Sequence, residues 1–331
     1  MSAGREAAPG DRDRARVLIV GCGAIGGIYA ARLARVADVC VLDVWREHVE
    51  TIRARGLRLV VRTEDVAETL TAYPSAAAEP AALPPGPWSH ALVAVKGPET
   101  RAALRGLASR LGGAIVLTIQ NGLGNAETIA AACDAPVCQG VTMNAGEAAG
   151  PGEILQTEIG RTWLGPHRAS LEEARAWGAL LRRAGMAADV LEDPRGAVWA
   201  KLIFNSAVNP LPVLTGLRLS EVYADPHTYA LLRTLVEEGT AVAAALGISL
   251  PHDPMAVIDA HRALGSAHAH VGSMKQDIDR GRPTEIETLT GAIVAAADRA
   301  GVPAPALRTV YRLVKAIEAR RATSAGAPVP P

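Results

Sequence analysis

Three polar side chains, Lys201, Asn205 and Asn209, recur every four residues in "WAKLIFNSAVNPL", a stretch (199–211) otherwise filled by Trp199, Leu202, Ile203, Phe204, Ala207 and Val208. Residues four apart lie above one another on a helix, so the spacing predicts one polar stripe on an apolar helix ended by Pro210. Partial burial lowers a lysine pKa toward working pH, which suits it to proton transfer, and asparagines beside it are neutral donors that do not repel it. The plainer reading is a solvated helix face with an ordinary lysine. Further along, "GSMKQDI" holds Ser273, Gln276 and Asp277, and "RPTEIETL" holds Glu285 and Glu287. Thr284 and Glu287 have the S/T-x-x-E spacing of a capping box, which explains Glu287 and leaves Glu285 with only the modest benefit of a carboxylate in a helix's first turn.

A second kind of chemistry stands near the other end of the chain. "RVLIVGCGAIGGIYAARLA" sets Gly21, Gly23 and Gly26 as GxGxxG after an apolar run and at the opening of an Ala-rich helix. The first glycine makes a tight turn, the second lets backbone approach a pyrophosphate and the third lets helix pack on strand. The free N–H groups of the helix start then face the phosphates, so Cys22, Ala24 and Ile25 join the three glycines as candidate cofactor-binding residues. A methyltransferase glycine loop is the usual impostor, but here strand, helix and a second strand, "DVCVLD", follow in the dinucleotide-binding order. That strand ends at Asp43, 17 residues past Gly26. A carboxylate there accepts from an adenosine ribose and repels a 2′-phosphate, which favours NADH over NADPH, although Arg46 nearby could compensate for a phosphate. The alternative is that Asp43 caps the helix in "WREHVETIRARG".

The elements that must carry these residues fall into two kinds. From Arg16 to about Asp193 the runs "RVLIV", "DVCVLD", "ALVAVK", "AIVLTIQ", "VCQGV", "TWLG" and "ADVLED" alternate with helical stretches, which predicts an α/β doubly wound parallel sheet of the Rossmann type over 16–193. In such a sheet ligands sit beyond the carboxyl ends of the strands, which puts Lys96, Gln120 and Asn121 on the ligand-facing rim, with Asn121-Gly122 open to a second reading as a turn pair. After Pro194 long Ala/Leu/Val-rich stretches, roughly 195–209, 226–247, 253–280 and 285–319, have helical apolar spacing with breaks at Pro210, Pro251 and Pro303, so 194–320 reads as an all-helical domain. Residues 1–15 read as a disordered leader and 321–331 as a flexible tail.

Bulk composition narrows the classes. Lys+Arg and Asp+Glu each total 34 in 331 residues, so a net charge of +0 offers no overall attraction to nucleic acid or an anionic membrane. The apolar run after the leader is far too short for a membrane span. Cys22, Cys40, Cys133 and Cys138 have no CxxC spacing, propose no metal site and fit a reducing cytoplasm. A small-molecule ligand remains, and nothing here opposes a homodimer.

Jointly, "GCGAIGG", "VAVK", "QNGLG", "WAKLIFNSAVNPL", "SMKQDI" and "RPTEIE" resemble the ketopantoate reductases, or 2-dehydropantoate 2-reductases, from Arg16 to about Ala319. The resemblance implies a Rossmann domain, an all-helical second domain, an active site in the cleft between them, and stereospecific reduction of ketopantoate to pantoate in pantothenate and CoA biosynthesis. It makes Lys201 the general acid at the C2 oxygen and Asn121 the asparagine beside it. Asn205, Asn209 and Ser273 become substrate-binding, Glu285 becomes the acid that contacts substrate and orients the catalytic group, and Lys96 lies close to the cofactor. The chain departs from the family pattern at Leu219 and Thr290, where asparagines are frequent, and at Asp43, where members that take NADPH favour an arginine region. Two other readings stay open: a paralogue acting on another branched or hydroxylated 2-oxo acid, and a catalytically silent dinucleotide-binding regulator. A regulator would not need the proton donor, and no basic DNA-binding appendage is visible.

Overall fold

A computed structural model of the chain describes residues 14–63, 65–264 and 272–325; the leader and the end of the tail lie outside it. The chain divides into two compact units, one formed by residues up to Gln120 together with 125–194, the other by 121–124 together with 195 onward.

The first unit begins β1 (Arg16–Val20), α1 (Ala24–Leu33), β2 (Asp38–Leu42), α2 (Arg46–Arg55), β3 (Leu57–Arg62), β4 (Ala67–Ala72) and β5 (Ser75–Ala77). It continues through β6 (His90–Val93), α3 (Thr100–Ala103), β7 (Ile115–Thr118), α4 (Asn125–Ala132), β8 (Val137–Thr142), β9 (Ala145–Gly150), β10 (Glu153–Glu158), β11 (Thr162–Arg168), α5 (Leu171–Arg183) and β12 (Ala188–Val190). Eight strands form the main sheet in the order β12-β11-β8-β7-β6-β1-β2-β5. Val17 to Val20 of β1 are all buried, as expected of a central strand covered on both faces.

The strands from β5 to β8 pair in parallel, as expected of a doubly wound sheet, and the sheet becomes mixed only where β11 runs antiparallel to β8. The reason lies in the connection: between β8 and β11 there is no crossover helix, only β9 and β10, and without such a crossover a returning strand runs antiparallel. Those two strands join β3 and β4 in a second sheet, β4-β3-β10-β9, that the sequence reading did not anticipate. It covers α1 closely enough that a Cβ on Gly27 would come within 2.6 Å of the Ile154 side chain. α5 is the best-signalled helix, with a Ser170/Glu173 capping box and an apolar face of Ala174, Trp177, Leu180 and Leu181.

Trp177 meets the ring of His90 edge-on, with centroids 4.8 Å apart. Burial pushes the His90 imidazole down to a pKa of about 4. Between about pH 4 and the ordinary histidine value of about 6.5 the unfolded chain therefore binds a proton that the folded chain does not, so stability rises with pH across that window and is lost as pH falls through it. We expect His90→Asn to flatten the fall in unfolding free energy between pH 6.5 and 4, by an amount on the order of 2 kcal/mol. Parallel melts of both proteins at each pH check this, and identical slopes would refute it.

The second unit is helical: α6 (Arg195–Val208), α7 (Pro210–Thr215), α8 (Leu219–Ala224), α9 (Pro226–Ala245), α10 (Pro254–Leu264), α11 (Ser273–Asp279), a π-helical turn (Glu287–Gly291), α12 (Ala292–Ala300) and α13 (Pro305–Ala325). α13 thus runs past residue 320, where the sequence reading placed the start of a flexible tail. α6 packs on α9 through Gly239, whose missing Cβ would stand 3.0 Å from Ile203. Glu238 of α9 caps α13 by accepting from the amides of Ala306 and Leu307 at 2.9 and 2.8 Å. Among the described residues no helix is long and apolar enough to cross a membrane.

Candidate active site

Lys201, Asn205 and Asn209 are carried by α6 and by the junction that follows it. Lys201 is half-buried, while Asn205 and Asn209 are buried. The helix does break at Pro210, which becomes the first residue of α7, and the Asn209 amide still donates to the Asn205 carbonyl at 3.0 Å. The polar stripe is thus continued around a proline break.

The stripe has company. Asn205 Nδ2 donates to Asn121 Oδ1 at 3.4 Å, and Asn121 Nδ2 donates to Glu285 Oε2 at 3.5 Å. These are long contacts, and they run one way, from amide to amide to carboxylate. Asn121 lies just past the carboxyl end of β7, yet 121–124 belongs to the helical unit and not to the 16–193 domain, anchored by a Leu123 N–H to Thr288 carbonyl bond of 3.0 Å. Gly122 has φ +86°, and a Cβ there would lie 2.4 Å from the Thr288 oxygen, so neither the backbone shape nor the space admits another residue.

Glu285 is buried, with 7% of its surface exposed. It stands just before the π-helical turn, which runs on into α12, and its carbonyl accepts from Leu289 N–H at 3.0 Å, so a modest dipole benefit accompanies its contact with Asn121. The expected capping box is absent. The Thr284 hydroxyl accepts from Ile286 N–H at 3.2 Å and donates to Glu318 Oε1 at 2.7 Å, while Glu287 is exposed and accepts from the Tyr311 hydroxyl at 2.9 Å. Glu287 ties the π-turn to α13, and Glu285 is left facing Asn121. Ser273 is the first residue of α11 and half-buried; its neighbour Gly272 lies against Pro212 of α7, with 3.8 Å from a built Cβ to Pro212 Cγ. Two of the three departures from the family pattern are core residues, Leu219 packed in the helical core and Thr290 fully buried with its hydroxyl 3.5 Å from the Ser206 carbonyl.

The glycine loop of the first unit has the close approaches and the open space that a dinucleotide's phosphates require. Gly21 has φ +90°, and a Cβ on Gly26 would fall 1.8 Å from the Gly21 carbonyl oxygen. A Cβ on Gly23 would meet nothing within 4 Å, so the loop keeps open space where α1 starts. Gly23 is the N-cap of α1 and supplies no side-chain hydrogen bond, which leaves the amides at Ala24 and Ile25 for a phosphate. The residues fit. Cys22 is buried, and burial followed by the Asp43 charge raises its thiol well above the ordinary range, so it is not a reactive thiol.

Asp43, at the end of β2, accepts from Cys22 N–H at 2.7 Å and from Trp45 N–H at 2.9 Å. It is not the α2 cap, a position held by Trp45. Lys96 is exposed beyond β6. Gln120 is a staple, its amide donating to the Val95 carbonyl at 2.7 Å and to the Thr100 hydroxyl at 2.8 Å. No local pattern signals the bond between Asp43 and the Cys22 amide, 21 residues apart. A groove of about 550 Å³ lined by Asp298, Val302, Arg308 and Arg312 includes none of these residues.

Comparison with known proteins follows the same division of the chain. Two family models match, described as ketopantoate reductase PanE/ApbA over residues 17–169 and ketopantoate reductase PanE/ApbA C terminal over residues 193–318. A 2-dehydropantoate 2-reductase of Halobacterium salinarum is 32% identical over 305 residues, 91% of this chain and 98% of its own. A crystal structure of a PanE/ApbA family ketopantoate reductase from Ralstonia eutropha JMP134 matches with TM-score 0.82 at 33% identity, covering 93% of this chain and 99% of that one. A ternary structure of D-mandelate dehydrogenase with NADH and anilino(oxo)acetate matches in fold with TM-score 0.83 at 24% identity, covering 93% and 99%.

Proposed function

Because the chain belongs to the ketopantoate reductase family of oxidoreductases, we propose that it reduces ketopantoate to pantoate with a nicotinamide dinucleotide, NADH in preference to NADPH. The observation that carries this reading is the run of contacts from Asn205 through Asn121 to Glu285, with Lys201 one turn before Asn205 on α6. A silent regulator has no use for a buried carboxylate holding an amide beside a lysine.

When bound, the nicotinamide supplies hydride to the C2 carbon of the 2-oxo acid. Negative charge then grows on the C2 oxygen, and Lys201 Nζ gives that oxygen a proton. The Asn205 and Asn209 amides and the Ser273 hydroxyl hold the substrate's carboxylate and hydroxyl. Glu285 fixes the Asn121 amide, whose orientation in turn fixes that of Asn205. In the first unit, amides at Gly23 to Gly26 take the pyrophosphate, and Lys96 lies close to the cofactor.

Asp43 supports the choice of NADH. Its carboxylate ends β2, where the ribose of a dinucleotide lies, and two like charges about 4 Å apart cost on the order of 4 kcal/mol at the effective dielectric of a protein surface. Salt and the exposed Arg46 reduce that figure. Initial rates with NADH and NADPH, on ketopantoate beside a panel of branched and hydroxylated 2-oxo acids, test the whole reading. We expect ketopantoate and NADH to give the highest kcat/KM. Asp43→Asn should narrow the cofactor preference from both sides, easing NADPH and impairing NADH, since an asparagine has one acceptor oxygen for two amides. A wild-type enzyme tenfold better with NADPH would refute the preference, and one that ignores ketopantoate but reduces another 2-oxo acid would refute the substrate.

A further inference from the structure

The two residues after Asp43 are large, apolar and out of the core: Val44 is 91% exposed and Trp45 39% exposed. The Trp45 ring is nevertheless fixed. It stacks on the imidazole of His48, with centroids 5.0 Å apart and planes 11° from parallel. His48 is itself fully buried, and its Nδ1 accepts from Gly152 N–H at 2.9 Å in the β9–β10 turn. Burial holds the imidazole below the ordinary histidine range, so near neutral pH the ring behind Trp45 carries no charge. Trp45 is also joined to the phosphate-binding loop through one side chain, because the Asp43 carboxylate accepts from both its amide and that of Cys22.

A flat indole backed by a clamped neutral ring, beside the carboxylate at the end of β2, presents the surface that a purine prefers. Beyond the ribose at that strand end a dinucleotide carries its adenine, and stacking on an aromatic face stabilises a base without needing any particular hydrogen-bond pattern. We propose that Trp45, backed by His48, is the platform on which the adenine of the cofactor stacks, and that Asp43 is the positioning residue that couples this platform to the glycine loop. The proposal rests on the dinucleotide reductase reading above, and its test does not depend on turnover.

The probe is ADP-ribose, followed by indole fluorescence and by calorimetry, with nicotinamide mononucleotide as the ligand that lacks adenine. We expect ADP-ribose to quench the wild-type signal, Trp45→Ala to weaken its binding about tenfold, and Trp45→Phe to retain most of the affinity while losing the quench. In turnover, Trp45→Ala should raise the KM for the dinucleotide about tenfold with kcat unchanged, and should have no effect when reduced nicotinamide mononucleotide replaces it. Equal ADP-ribose affinity in wild type and Trp45→Ala overturns the platform, as does the absence of any quench in the wild type. Self-association that Trp45→Ala abolishes, with ADP-ribose affinity unchanged, overturns it in favour of a protein contact at Val44 and Trp45. Normal ADP-ribose behaviour in an enzyme that reduces no 2-oxo acid upholds the platform and refutes the reductase reading instead.

Discussion

Lys201→Ala should lower kcat by about 10² to 10⁴, the usual worth of a positioned acid, while cofactor affinity stays near wild type. The lysine stands one turn before a buried asparagine on a helix whose apolar residues, Trp199, Leu202, Ile203 and Val208 among them, are core. Lys201→Arg sharpens the test. An arginine keeps the charge but holds its proton too tightly to give it up, so it should restore substrate binding without restoring turnover. Single-turnover rates for the three proteins, with dinucleotide affinity measured on the same preparations, are the relevant comparison. Turnover within a few-fold of wild type in Lys201→Ala would remove Lys201 as the proton donor.

Glu285→Ala is expected to reduce kcat/KM by about 10² or more while changing unfolding free energy by about 1 kcal/mol or less. The asymmetry follows from position. The N-cap of the π-turn is Ile286, with no side-chain cap hydrogen bond, and the Glu285 carboxylate faces the Asn121 amide, so the group lost is one that orients other groups. Glu285→Gln keeps an acceptor for Asn121 and should fall between alanine and wild type. Chemical unfolding and steady-state kinetics on all three proteins decide the matter. A clear stability loss with kinetics intact would return Glu285 to a purely structural role.

The fold was legible wherever a strand is short, apolar and bounded by a helix, as in "RVLIV" and "DVCVLD", and wherever proline marks a break, as at Pro210. The second sheet was harder to see. β9 is "AGEAAG", without a β-branched residue, and its strand conformation is imposed by pairing with β10 and not by local preference. β3, "LRLVVR", does alternate buried and exposed positions, and that period of two was a usable signal. At the site, spacing alone exposed the Lys201, Asn205 and Asn209 stripe. The capping box at Thr284 misled because Glu318, 34 residues away, accepts from the Thr284 N–H that Glu287 would take in a box, a long-range competitor that no local pattern reveals. The double use of Asp43 was equally hidden, since it depends on how β1 and β2 align side by side.

Residues 121–124 precede the helical half by some seventy positions yet fold with it, joined through Gly122, Leu123 and the Thr288 carbonyl. The two halves are therefore not interchangeable cassettes. A gene fragment beginning at residue 195 would encode the lysine, the glutamate and the π-turn but leave the Thr288 carbonyl without its amide and Glu285 without its asparagine. Recombination between relatives that joins one parent's first 194 residues to another's remainder inherits this four-residue segment from the wrong side. Chimeras should tolerate such crossovers only when both parents place glycine at 122 and agree on the turn it meets.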